Sequence, residues 1–301
     1  MVRFAKPRGT TKMPRLSSNG MELEYEECGE TTAPMAVLIS GLGEQMGGVE
    51  FPQEFADALA QRGFRVVRFD NRDVGLSTHL YDAEPGSYTY LDMADDVAGL
   101  IAGLGAERAH LIGASMGGFI ARWAALRHSS LVQSVTVIMS GCGARFGSPA
   151  AERYSKMAPH AFKGMMSKTR AAASSAEAIE SYVEAWRQYN GSRFAFEEDW
   201  GRECAACTHA RSYDPKGVAR QIGASGTPDL LEAQEQIACR AAIIHGDEDP
   251  IFGADHARET AARIPGAKLE IISGMGHEMP REAWPQITQA VARAAGNAAD
   301  L

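Results

Sequence analysis

Three short runs in this chain are apolar or small at nearly every position: MAVLIS (Met35–Ser40), AHLIG (Ala109–Gly113) and the end of LVQSVTVIMSG (Leu131–Gly141). A strand with one wet face alternates in polarity. These runs do not, so each predicts a strand buried on both faces. FRVVRFD (Phe64–Asp70) predicts another strand, and MELEYEECG (Met21–Gly29), which does alternate, predicts an exposed one. Between them lie stretches of helical period. FPQEFADALAQRG sets Phe55, Ala58, Leu59 and Arg62 at helical spacing, with Pro52 in the first turn and Gly63 as a stop. DMADDVAGLIAGLG lines Ala94, Val97, Ile101 and Leu104 along one face before Gly105. MGGFIARWAALRH follows AHLIG as a third helix. Buried strands alternating with helices predict an α/β fold, a parallel sheet with helices on both faces.

The alternation stops near Gly147. From 148 to 236 the signals are helical or irregular, with no buried strand, and the segment is rich in Ala, Met and aromatics. It then resumes with CRAAIIHGDEDP, ADHARETAARIPG, AKLEIISGMGH and REAWPQITQAVARAAG. The predicted organisation is therefore one core, 21–147 with 237–301, interrupted by a helical cap at 148–236. Residues 1–20, with Arg3, Lys6, Arg8, Lys12 and Arg15 and no acid before Glu22, predict a flexible basic arm. No apolar region follows those charges, so the arm does not read as a secretory signal. No apolar run approaches a bilayer span.

The net charge of −8 argues against a nucleic-acid surface. Five scattered cysteines fit reduced thiols and a cytoplasmic location. Cys204-Ala-Ala-Cys207 with His209 has metal-like spacing, but no second ligand cluster completes a tetrahedral site. No metal or cofactor is expected.

In an open parallel sheet, ligands gather at the carboxyl ends of the strands. Gly113-Ala-Ser-Met-Gly117 lies at one such end and fits G-x-S-x-G. So sharp a strand-to-helix turn strains the serine, and glycines two residues either side remove the collision. Gly118 lets the following helix approach the sheet, and its N-terminus turns free N–H groups toward Ser115. A serine nucleophile needs a base and the base an orienting acid. His277, in the glycine-rich loop GMGHEMP, is the expected base, free to swing in. In the turn HGDEDP, Asp249 is preferred as the acid over Asp247. The oxyanion of an acyl-transfer transition state needs N–H donors. Met116, just after the serine, and Leu42, in Ser40-Gly-Leu-Gly43, are the expected donors, with Gly43 second to Leu42.

GLG after the first buried strand, FDNRDVGLST (Phe69–Thr78), GASMGG, HGDEDPIF and GMGHEMP together resemble the α/β-hydrolase superfamily, over about Met21 to Ala295. FDNRDVGLST and GMGH are similar to its aclacinomycin methylesterase-like branch of lid-bearing esterases. The resemblance implies an eight-stranded, mostly parallel sheet, a helical cap between strands six and seven, and the triad Ser115, Asp249 and His277. Many relatives carry His-Gly where this chain has Ser40-Gly41. The backbone donors survive that change.

The expected function is a serine esterase acting on a small or medium ester with a hydrophobic part. Lactone, amide or thioester hydrolysis and acyl transfer remain open on the same residues, as does a non-catalytic binding protein. A small-molecule substrate is the expected partner, and a homodimer stays open.

Overall fold

The computed structural model describes residues 14–145 and 147–296. Arg3, Lys6, Arg8 and Lys12 of the basic arm lie outside the described residues. The arm's far end is different from the expectation. Arg15–Ser18 forms strand β1, antiparallel to β2 (Met21–Cys28), with Arg15 opposite Glu24. The pairing works because Ser18 donates to the Asp96 carbonyl at 2.8 Å and Leu16 covers Gly103, which fixes β1 to a helix behind it.

The remaining strands are β3 (Met35–Ile39), β4 (Arg65–Phe69), β5 (Ala109–Ala114), β6 (Val132–Ile138), β7 (Arg240–Gly246) and β8 (Lys268–Ile272). They form one eight-stranded sheet ordered β1-β2-β4-β3-β5-β6-β7-β8. Only the pairings of β2 are antiparallel. Successive residues point to opposite faces, and two apolar layers result. Val37, Ile39, Leu111, Val135 and Ile243 pack with α2 (Tyr90–Gly103), α3 (Met116–Arg127) and α8 (Ala254–Arg263). Ala36, Leu38, Ile112, Ile138 and Ile244 pack with α1 (Gln53–Ala60) and α9 (Trp284–Ala295). Burial on both faces is what the continuous apolar runs encode.

Between β6 and β7 the chain leaves the sheet for four helices: α4 (Pro159–Ser167), α5 (Ser175–Tyr189), α6 (Glu198–Arg211) and α7 (Pro215–Gly223). Val183, Trp186, Tyr189, Cys204 and Ala205 give them a small apolar core, which meets Ile251 after β7. Among the described residues, no helix is long and apolar enough to cross a membrane.

Candidate active site

Four strand ends carry the site. β5 runs straight into α3 through Ser115, whose φ of 52° and ψ of −116° are a strained conformation for a residue with a Cβ. The glycines around it answer to close contacts. A methyl on Gly113 would overlap the Gly117 carbonyl, and one on Gly117 would overlap the Ile39 carbonyl of β3. A methyl on Gly118 would stand 2.7 Å from Ser140 Cβ. The turn thus holds one hydroxyl out from the sheet, at a helix N-terminus.

Facing it, His277 Nε2 lies 3.0 Å from Ser115 Oγ, and Nδ1 lies 2.8 Å from Asp249 Oδ2. With the imidazole donating Nδ1–H to Asp249, Nε2 accepts from the serine hydroxyl. Asp249 Oδ1 accepts from the Ile251 and Phe252 amides at 2.8 and 2.9 Å. Burial penalises the Asp249 charge. The His277 contact, helped by His245 and the Phe252 amide, outweighs that and holds the carboxyl below its ordinary range. Asp247, the rival acid, is exposed and accepts instead from the Gly274 amide at 2.6 Å. His245, second in this neighbourhood, is buried; it donates to the Phe252 carbonyl at 2.7 Å and lies 3.3 Å from Asp249 Oδ2.

The glycines of GMGH serve close approach rather than swing. The His277 amide donates to the Tyr189 carbonyl at the end of α5, at 2.8 Å, and a methyl on Gly276 would overlap that carbonyl. Glu278 Oε1 accepts from the Gly191 and Gly276 amides, both at 3.1 Å. Burial raises the Glu278 carboxyl to about 7, against the pull of those amides and His277. The helical insertion therefore grips the loop that carries the imidazole.

Leu42 and Met116 line the same cavity as Ser115 and His277. Among the described residues neither of their amides has a hydrogen-bond partner, whereas the Gly43 amide is engaged by Gln221 Oε1 at 2.9 Å. FDNRDVGLST braces this loop. Asn71 donates to the Ser40 carbonyl at 3.1 Å, and Asp70 accepts from the Met46 amide at 2.7 Å and from Leu76 at 2.9 Å. Arg211 of α6 pairs with the same Asp70. Arg72 and Asp96 form a buried two-point pair at 2.6 and 2.7 Å.

The cavity has a volume of about 530 Å³ and a mainly apolar wall that includes Met157, Met166, Trp186, Phe196, Trp200 and Phe252. Two buried carboxyl groups and a buried amine also interrupt that wall: Glu44, Glu50 and Lys168. Sequence reading missed them. Two are acids in a glycine-rich loop and one is a lysine at a helix end, patterns that ordinarily face water. Cys204, Cys207 and His209 lie along α6 and do not converge. Among the described residues the metal-capable group is Asp73, His79 and Asp214, within 4.8 Å of one another. Arg220 occupies both of its carboxylates, at 2.7 and 3.1 Å.

Residues 37–282 match the family described as alpha/beta hydrolase fold. The chain belongs to that family. This hydrolase is 29% identical over 262 residues to rhodomycin D methylesterase DauP of Streptomyces sp. strain C5, covering 82% of this chain and 86% of that protein. The solved enol-lactonase of Burkholderia xenovorans LB400 superposes with a TM-score of 0.72 at 26% identity, covering 94% of this chain and all of that one. An esterase from Exiguobacterium antarcticum shares the fold, with a TM-score of 0.76 at 19% identity over 95% of this chain and 100% of that one.

Proposed function

We propose that this hydrolase cleaves carboxylic esters through Ser115. His277 takes the hydroxyl proton as Oγ attacks the carbonyl carbon, then returns it to the departing alcohol. The same imidazole next draws a proton from water, which attacks the acyl-enzyme and frees Ser115. Asp249 keeps the tautomer and stabilises the imidazolium. The Leu42 and Met116 amides receive the oxyanion, a role in which one donor is worth about 3 kcal/mol of barrier. The helices of 148–236 act as a cap that closes the acyl or alcohol pocket, and its apolar wall favours esters with a hydrophobic part. Five cysteines without disulfides support a reducing compartment, the cytoplasm.

The single observation behind this reading is the hydrogen-bonded line from Ser115 through His277 to Asp249 beside two unengaged amides. The DauP likeness favours a methyl ester, and the enol-lactonase likeness favours a lactone as the second reading. A fluorophosphonate probe should label Ser115, and a screen of p-nitrophenyl esters, methyl esters and lactones should show turnover. Ser115→Ala should lose both, with kcat down by roughly 10⁶. Folded protein that takes no label, or a variant that keeps most of its turnover, would remove the serine from the mechanism.

A further inference from the structure

Glu50 is the polar group least expected where it lies. It sits in the loop after β3, is 9% exposed, and lines the cavity that holds Ser115. Oε2 accepts from the Gly41 amide at 2.6 Å. Oε1 has no hydrogen-bond partner among the described residues, and it is not one of the fully enclosed unpartnered atoms, so it opens on the cavity. Its position relative to the serine is fixed by Gly41. The point a Gly41 Cβ would occupy is 2.5 Å from Glu50 Oε1 and 3.1 Å from Ser115 Cβ. The two side chains therefore flank one bare glycine.

Beside Glu50 lies an ion pair. Lys168 Nζ, just past α4, donates to Glu44 Oε1 at 2.9 Å and rests 5.1 Å from the centre of the Tyr182 ring. Both charges are buried, and Trp186 Nε1 reaches the same Glu44 oxygen at 3.4 Å. A buried lysine and carboxylate in contact sum to zero net charge, so the pair makes the wall polar without adding a net charge to hold an ionised substrate.

We propose that Glu50, with the Lys168–Glu44 pair behind it, forms a polar subsite beside Ser115 that selects uncharged esters carrying a hydroxyl or carbonyl oxygen near the scissile carbonyl. The inference rests on the ester-hydrolase reading and adds the substrate class. Its chemistry follows from what Glu50 can offer. Burial and the neighbouring Glu44 charge raise its carboxyl to about 8, against the Gly41 amide and Lys168. It carries a proton at neutral pH. Oε2 is already an acceptor, so Oε1 bears the hydrogen and donates it into the cavity. A substrate oxygen satisfies that donor, and a plain alkyl chain leaves it unpaired.

Methyl 3-hydroxyhexanoate and methyl hexanoate test this, with each kcat/KM divided by the ester's hydroxide-catalysed rate. The wild-type ratio should favour the hydroxy ester by about tenfold, the worth of one well-made hydrogen bond. Glu50→Leu should bring the ratio near one, whereas Glu50→Gln, whose amide still donates, should keep most of it. If Glu50 only steadies Gly41, both esters slow together and the ratio holds, which overturns the subsite. A wild-type ratio near one overturns it without any variant. Failure of the parent reading looks different: neither ester turns over and Ser115 takes no fluorophosphonate label.

Discussion

Asp249 holds its charge in a fully enclosed place because every lone-pair direction it uses is answered. Two backbone amides take Oδ1 and an imidazole takes Oδ2. That division decides what an amide would do there. In Asp249→Asn the carbonyl oxygen keeps the two amides, so the NH₂ faces His277 Nδ1. The ring must then accept at Nδ1 and carry its hydrogen on Nε2, aimed at Ser115. A base in that tautomer cannot take the hydroxyl proton. Loss of kcat by about 10⁴ with an unchanged fold is expected. Burst kinetics and circular dichroism measure the two halves, and a loss below tenfold would assign the orienting role elsewhere. Ser115 was legible because its turn demands glycines at fixed offsets. Asp249 and Asp247 were harder to separate, since both stand in one acidic turn. What distinguishes them is the Gly274 amide on Asp247, from a loop far along the chain. Glu50 was not legible, because nothing local marks an acid that distant packing will bury.

Elements were read well where burial sets their pattern and poorly where partnership does. The seven strands from MELEYEECG to AKLEIISGMGH show in the polarity pattern alone. β1 does not. RLSS is four residues of mixed character, and only Glu24 opposite it and α2 behind it make it a strand. The loop after β8 gives the converse case, with glycines visible and their purpose hidden. Flexibility and close approach leave the same letters in a sequence. Here the Tyr189 carbonyl occupies the space a Gly276 side chain would need. Gly276→Ala must push the His277 amide off the end of α5, which displaces the imidazole from Ser115. A 1 Å misplacement costs about 10²-fold in rate, so kcat should fall on that order while KM changes little. Stability should fall too, since two inter-element hydrogen bonds on this loop are strained. Normal kcat in this variant would show that α5 does not set the imidazole's position.

At the scale of the whole molecule, charged pairs join the helical insertion to the sheet: Arg220 with Asp73, Arg211 with Asp70, Lys168 with Glu44. Buried carboxyls at that joint give the fold a dependence on pH. Glu50, at about 8 in the folded protein against an ordinary 4.5, binds a proton that the unfolded chain releases. Glu278, raised to about 7, does the same. A raised carboxyl favours the folded state least at high pH, so stability falls as pH rises from about 4.5 and levels off above the folded values. His110, pushed down to about 4 by burial, acts in the opposite sense below its ordinary 6.5. His245 is lowered in the same way, and in the window from about pH 7.5 to 8 the carboxyls dominate. Each proton held only by the folded state costs about 1.4 kcal/mol per pH unit there. Glu50→Gln keeps an acceptor for the Gly41 amide and has no proton to lose. Its stability relative to wild type should climb through the window and stop climbing above about pH 8. Urea unfolding at pH 5.5, 6.5, 7.5 and 8.5 measures this. A constant difference at all four would mean that Glu50 is ionised throughout, with Lys168 neutralising it across the cavity wall, and the donor assigned to Oε1 would then be absent.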